Sequence, residues 1–301
     1  MTSPSVTTTR KPQDAEIDVY GLTHQGRVRG TNQDHFLIAS LHKTVEVHRT
    51  SLPTADRLPQ SERLAFLAMV ADGVGGSAAG EAASRLAVQR VTEYVAQSMR
   101  CFYTADEHDE QAFHEALQEA AFRCHESVVA EAEADADLQG MATTLTLWLG
   151  VWPRAYLLQV GDSRCYVLRD GALTQISHDQ TMAQELVDQG VLRRTEAFNT
   201  RWANVLSSSI GGRQTAPLVT RMEQDWGNVG LLCSDGLTKH VSDDRIRERL
   251  ASMTSARQVC EALLQDALDD GGSDNITIIV GRTVNRRTEA NTDEHRRNMG
   301  E

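Results

Sequence analysis

Four aspartates stand where an apolar run meets a turn: Asp72 in "AMVADGVGG", Asp162 in "LLQVGDSR", Asp235 in "LLCSDGL" and Asp274 in "GGSDNITIIV". Taken singly, Asp beside Gly is an ordinary way to end a strand. Four in one pattern raise the question of whether they meet. If they converged without a cation, each pair about 4 Å apart would repel by roughly 4 kcal/mol at an effective dielectric near 20, so convergence implies bound metal. Oxygen-only donors select hard ions, Mg2+ or Mn2+, which keep several waters and use few carboxylates each. Two such ions about 3.5–4 Å apart would make a site for in-line displacement at phosphorus. A phosphate also needs a cation for its non-bridging oxygens. Arg29 lies five residues before Asp34, itself at the head of an apolar run, and a guanidinium fork binds two phosphate oxygens at once. From spacing alone, a solvated surface arginine is an equal reading.

A second reading of the first stretch is dinucleotide binding, because Gly73, Gly75 and Ala78 fit the G-x-G-x-x-A variant of a Rossmann fingerprint. That motif requires a second strand ending in an acid about 20 residues on. Here Ala82, Ala83, Leu86, Ala87, Val91, Tyr94 and Val95 carry a helical pattern through that place instead.

The elements that must position these residues follow from the apolar pattern. The chain has 301 residues, 40% hydrophobic and 24% charged, enough to bury a full core. Short β-type runs recur as "HFLIAS", "RLAFLAMVA", "TTLTLWLGV", "RAYLLQV", "RCYVLRD", "VGLLCS" and "NITIIVG". Helices are expected at Gly80 to about Met99, Glu110 to Ala134, Asp243 to about Ser252 and Ser255 to Leu268. Strands outnumber crossover helices and follow one another like hairpins, which predicts antiparallel sheets with helices packed outside. The polar stretch 41–63 reads as a hairpin loop insertion. Residues 1–15 and 284–301 contain too little apolar surface to offset their ordering entropy and read as disordered tails.

Composition excludes several function classes. A net charge of -12 disfavours nucleic acid as a partner. No apolar stretch reaches the roughly 18–20 residues of a membrane span, and the N-terminus lacks a secretion-signal core. Five scattered cysteines without C-x-x-C spacing argue against a disulfide framework or a zinc site, so a cytoplasmic protein is expected.

Together the motifs "RGTNQD", "ADGVGG", "ATTLT", "VGDSR", "CSDGL" and "GGSDNIT" occur in the order seen in the metal-dependent Ser/Thr protein phosphatases of the type 2C (PPM) family. The chain resembles the compact bacterial members of that family over about residues 17–283. The resemblance implies an α+β fold, a four-layer αββα sandwich of two antiparallel β-sheets flanked by helix pairs. It would make residues 16–283 one catalytic domain, with a flap at 181–209. It implies a phosphoprotein phosphatase that hydrolyses phosphoserine and phosphothreonine by in-line attack of a hydroxide bridging two Mn2+ or Mg2+ ions, with a third, weaker metal site. Asp72 would bridge the metals, the Gly73 carbonyl would complete one, and Asp235 and Asp274 would hold the other. Asp162 with Asp235 would form the third site, Arg29 would bind substrate phosphate, and Asp34 would hold metal-bound water. Implied partners are phosphorylated proteins, including a Ser/Thr kinase and its substrates, with no nucleic acid or membrane and the chain as a monomer.

Two positions depart from the pattern of some relatives: Gln33 replaces a Glu, and Val74 a His that serves as general acid. The acid is therefore unassigned, with His178 a candidate by residue type alone. Arg193, Arg194 and Arg201 in the flap could attract acidic substrate segments, a solvated loop being the plainer reading. A metal-binding pseudophosphatase that recognises a partner without turnover is the alternative function; the retained aspartates disfavour it.

Overall fold

The computed structural model describes residues 10–44, 61–98, 110–197 and 200–284. The chain runs β1 (Ile17–His24), β2 (Asp34–Thr44), β3 (Ser61–Val74), α1 (Ser77–Ser98), α2 (Glu110–Ala134), β4 (Ala142–Thr143), β5 (Leu145–Val151), β6 (Arg154–Val160), β7 (Arg164–Arg169) and β8 (Ala172–Gln175). It continues through α3 (Met182–Asp188), α4 (Arg194–Ala197), β9 (Leu218–Glu223), β10 (Val229–Cys233), α5 (Asp235–Thr238), α6 (Asp243–Ala251), α7 (Ala256–Asp269) and β11 (Ile276–Thr283).

Two antiparallel sheets result, ordered β1-β11-β10-β7-β8 and β2-β3-β5-β6-β9, with β4 added on β3. Strand alternation sorts side chains between three apolar layers. On β3, Leu67 and Met69 face α1 and α2, while Ala68 and Val70 face the other sheet. On β11, Ile278 and Val280 face α6 and α7, and Ile279 faces inward. The layer order is therefore helix pair, sheet, sheet, helix pair. Helices α6 and α7 begin where Ser242 and Ser255 accept hydrogen bonds from the amides of Arg245 and Gln258, which satisfies donors that the first turn leaves free.

The described structure extends the sequence expectations at several points. Strand β1 was not expected, because Asp18, Gly21 and His24 dilute its apolar alternation; it is held as an edge strand on β11. Strands β8 and β9 are short, and β9 is mostly exposed, so their sequences carry little burial signal. Within the segment expected to be a disordered tail, residues 10–15 are tied down: Arg10 forms a double hydrogen bond to Glu16 at 2.9 and 2.7 Å, and Arg63 reaches Asp14 and the Pro12 carbonyl. The ladder of β2 and β3 continues through His42–Arg63 to Thr44–Ser61 after a bulge at Leu41/His42, so the insertion between them begins later than residue 41. Residues 45–60, and with them most of that insertion, lie outside the described residues, as do residues 1–9 and 285–301 of the expected tails.

Candidate functional site

The carboxylates gather at one end of the sandwich because both sheets deliver strand termini there. Asp34 opens β2 and Asp72 lies near the end of β3, and the two are direct partners across the ladder. Asp162 follows β6, Asp235 follows β10, and Asp274 precedes β11.

Backbone clamps hold Asp72 in place. Its amide donates to Thr144 Oγ1 at 3.0 Å, and its carbonyl accepts from the Thr144 amide and from Thr143 Oγ1, each at 2.9 Å. The "ATTLT" motif thus fixes the turn that carries the acid. At Gly73 any side chain would collide with the Gly80 carbonyl and the Gln33 carbonyl, which explains the glycine by close approach of α1 and β2. The Gln33 side chain donates to the Gly76 carbonyl at 3.2 Å and lies over the glycine turn.

Asp34 is buried. One of its oxygens accepts from Ser234 Oγ at 2.8 Å and from Thr277 Oγ1 at 2.7 Å. The other, Oδ1, is buried with no hydrogen-bond partner, as is Asp235 Oδ1. Asn275 staples the loop bearing Arg29 to β11: its Nδ2 donates to the carbonyls of Gln25 and Thr31, each at 2.9 Å, and its Oδ1 accepts the Gln33 amide at 2.9 Å. Gly26 (φ 81°) allows this loop to pass directly against the Asp274 carbonyl, where a side chain would not fit.

The electrostatics record the crowding. Burial raises the Asp34 carboxyl to about 6 despite hydrogen bonds from Thr277 and Ser234. Burial, then Asp235 and Asp179, raises Asp162 to about 8. Asp72 is pushed well above the ordinary carboxylate range, first by burial and then by Asp34, Asp235, Asp162 and Asp274. Asp274 goes the other way: burial opposes ionisation, but Arg29 and Lys239 outweigh it and lower the pKa.

Those two cations stand among the acids. Arg29 forks onto Asp274 with Nε and Nη2 at 2.7 and 2.9 Å. Lys239 Nζ lies 2.6 Å from Asp235 Oδ2 and 2.7 Å from Asp274 Oδ2. Sequence reasoning missed Lys239, although its place four residues after Asp235 in a helical turn is the spacing that brings two side chains to one face. Among the described residues, no three Asp, Glu, His or Cys side chains form a closed ligand set. The donor chemistry nevertheless fits a divalent cation: acidic oxygens only, two of them buried without a partner, and mutual repulsion that a positive charge would relieve.

Other candidates fall elsewhere. His178 Nε2 is paired with Asp188 Oδ2 at 2.7 Å, so α3 takes its ring. Val74 is exposed beside the glycine turn. In the flap, Arg193 pairs with Glu196 and Arg201 lies 4.5 Å over the Trp202 ring; the segment is anchored by a bridge between Thr181 and Leu206. Arg194 starts α4. Phe198 and Asn199 lie outside the described residues.

Comparison with known proteins agrees with this architecture. The model of the protein phosphatase 2C family matches residues 47–271. The chain is 38% identical over 221 residues to the serine/threonine protein phosphatase PstP of Mycobacterium tuberculosis, covering 73% of this chain and 41% of PstP. It is 30% identical over 215 residues to the serine/threonine phosphatase stp of Listeria innocua, covering 71% of this chain and 83% of that protein. The crystal structure of the M. tuberculosis phosphatase PstP/Ppp superposes with a TM-score of 0.71 at 30% identity, over 89% of this chain and 99% of that one. The catalytic domain of PstP in complex with two manganese ions gives 0.69 at 31% identity, over the same shares of the two chains. The chain spans about 41% of the length of the PstP sequence.

Proposed function

The chain belongs to the protein phosphatase 2C family, and from that premise we propose that it is a Mn2+- or Mg2+-dependent phosphatase of phosphoserine and phosphothreonine in proteins. One observation carries the reading. Five carboxylates from both sheets meet at one end, and two of their buried oxygens lack any partner.

In this reading Asp72 and the Gly73 carbonyl would hold one cation, Asp235 and Asp274 would hold a second, and Asp162 with Asp235 would offer a third, weaker place. Cations bound there would supply charge neutralisation for the phosphoryl oxygens and water acidified for in-line attack. The chain's own groups do the rest. Arg29, on a loop pinned by Asn275, carries a planar fork matched to two phosphoryl oxygens, which it would take in exchange for its two bonds to Asp274. Asp34 has one oxygen saturated by Ser234 and Thr277, which leaves Oδ1 to accept a hydrogen bond from the attacking water and orient it. Thr143 and Thr144 keep Asp72 at a fixed height above the strand end. The relatives' names support a phosphoprotein substrate, and a bacterial Ser/Thr kinase and its targets are the natural opposing partners. The buried free thiols of Cys124, Cys165, Cys233 and Cys260 suit the cytoplasm.

The test is hydrolysis of a phosphothreonine peptide by chelator-stripped protein, before and after adding Mn2+, with Asp235→Ala and Arg29→Ala alongside. Turnover should appear with Mn2+, vanish in Asp235→Ala, and persist in Arg29→Ala with KM raised about tenfold, as expected for one lost charge-assisted phosphate contact. Turnover in the presence of chelator would overturn the metal assignment. Tight Mn2+ binding without turnover would favour the non-catalytic binding reading.

A further inference from the structure

Lys239 is the group in this site that neither the motifs nor phosphate chemistry requires. Its ammonium bridges Asp235 and Asp274 at 2.6 and 2.7 Å. Its side chain is 27% exposed and theirs are 19% and 16%, so the three charges are only partly screened. The bridge is built locally: Asp235 and Lys239 are one turn apart, with the Lys239 amide bonded to the Asp235 carbonyl at 2.9 Å.

Building on the metal reading above, we infer that Lys239 is a built-in competitor of the divalent cation, sharing the oxygens of Asp235 and Asp274 and so setting how tightly that metal is held. An oxygen hydrogen-bonded to an ammonium at this range cannot also ligate a cation at about 2.0–2.2 Å without bringing two like charges together. A cation can still reach Asp235 through its partnerless Oδ1, but there it meets the ammonium held on Oδ2, so its binding is opposed until Lys239 swings away. Its four-carbon stem and single charged tip allow that motion at little steric cost. Two consequences follow. The metal-free protein is stabilised, because a cation already sits between two of its carboxylates. The affinity for the metal is correspondingly lower, since each binding event sets a second positive charge against Lys239 and draws Asp274 away from both Lys239 and Arg29.

A residue with a purely structural role would lower stability in every state when removed and would leave metal affinity alone or weaken it. Calorimetric titration of chelator-stripped protein with Mn2+ separates the two. Lys239→Met, which keeps the stem and removes the charge, should bind Mn2+ about tenfold more tightly than the parent, the change expected when one partly screened positive charge is removed from beside the cation. Its metal-free form should melt lower than the parent, and the gap should close or reverse at saturating Mn2+. Lys239→Arg, which keeps the charge, should bind Mn2+ within about threefold of the parent. Equal or weaker Mn2+ binding by Lys239→Met overturns the inference while leaving the metal site standing. Failure of both parent and variant to bind Mn2+ overturns the metal reading, and this inference with it.

Discussion

The same strands have two very different ends. Toward the end away from the acids, the sheets flank a largely apolar space of about 490 Å³ lined by Phe66, Trp148, Cys165, Met222, Leu232 and Ile279, with Lys11 and Arg63 also in its lining. Toward the other, Asp72 lies near the end of β3, Asp235 follows β10 and Asp274 precedes β11. A few residues along one strand thus separate Ala68 from Asp72, or Ile279 from Asp274. At the apolar end, neighbouring side chains gain by approaching one another. At the acidic end they lose by it, and Arg29 and Lys239 partly offset the loss. The difference teaches that the fold is held by one end and the middle, while the acids gathered at the other end cost stability rather than add to it.

The sharpest way to break this contrast is to neutralise the most encircled acid. Asp72→Asn should lower kcat/KM by about a thousandfold or more, yet leave the melting temperature of the chelator-treated protein unchanged or higher, since it removes repulsion. A marked fall in that melting temperature would mean that Asp72 is a structural residue. On the apolar side the expectation inverts. Leu157, fully buried between the sheets, should cost about 2–5 kcal/mol of unfolding free energy as Leu157→Ala, measured in urea, with Mn2+ affinity unaltered; an equal loss of Mn2+ affinity would show that the two ends are not separable. The last expectation concerns pH. A carboxyl raised in the folded state binds its proton more tightly folded than unfolded, so the stability it contributes is fully present below its unfolded pKa and is lost as pH rises through its folded one. For Asp34 the window runs from 3.8 to about 6, and for Asp162 from 3.8 to about 8. Chelator-treated protein should therefore lose stability between about pH 4 and pH 8, with roughly 3 kcal/mol or less from Asp34. Asp34→Asn should flatten the lower part of that slope, and an unflattened slope would remove Asp34 as its source.

Much of this was readable from residues alone, for reasons that differ by element. The runs in β3, β6, β10 and β11 are buried and nearly continuous in apolar residues, so composition marks them. Helix α2 spans the expected Glu110–Ala134 because its buried positions, among them Phe113, Leu117, Ala121 and Cys124, recur with helical spacing. Strand β1 escaped notice because its pairing with β11 is supplied by a partner more than 250 positions away, which no local pattern can report. The aspartates were legible as a set by their shared place at strand ends. What surrounds them was not: Ser234 and Thr277 on Asp34, Asn275 across three loop carbonyls and amides, and Lys239 between two acids are relations created by the fold. His178 illustrates the converse, a residue whose chemistry suggested a role that its pairing with Asp188 does not support.

Strand β11 lies between β1 and β10 in its sheet, so the first strand of the chain finds its hydrogen-bonding neighbour only when the last one arrives. Asp274 and Asn275 enter with that strand, and with them the anchor for the Arg29 loop. During synthesis, then, a ribosome that has made four-fifths of this domain has made no complete centre. The slow, long-range closure expected of such a pairing places the assembly of the acidic centre late in folding, when β11 joins β1 and β10.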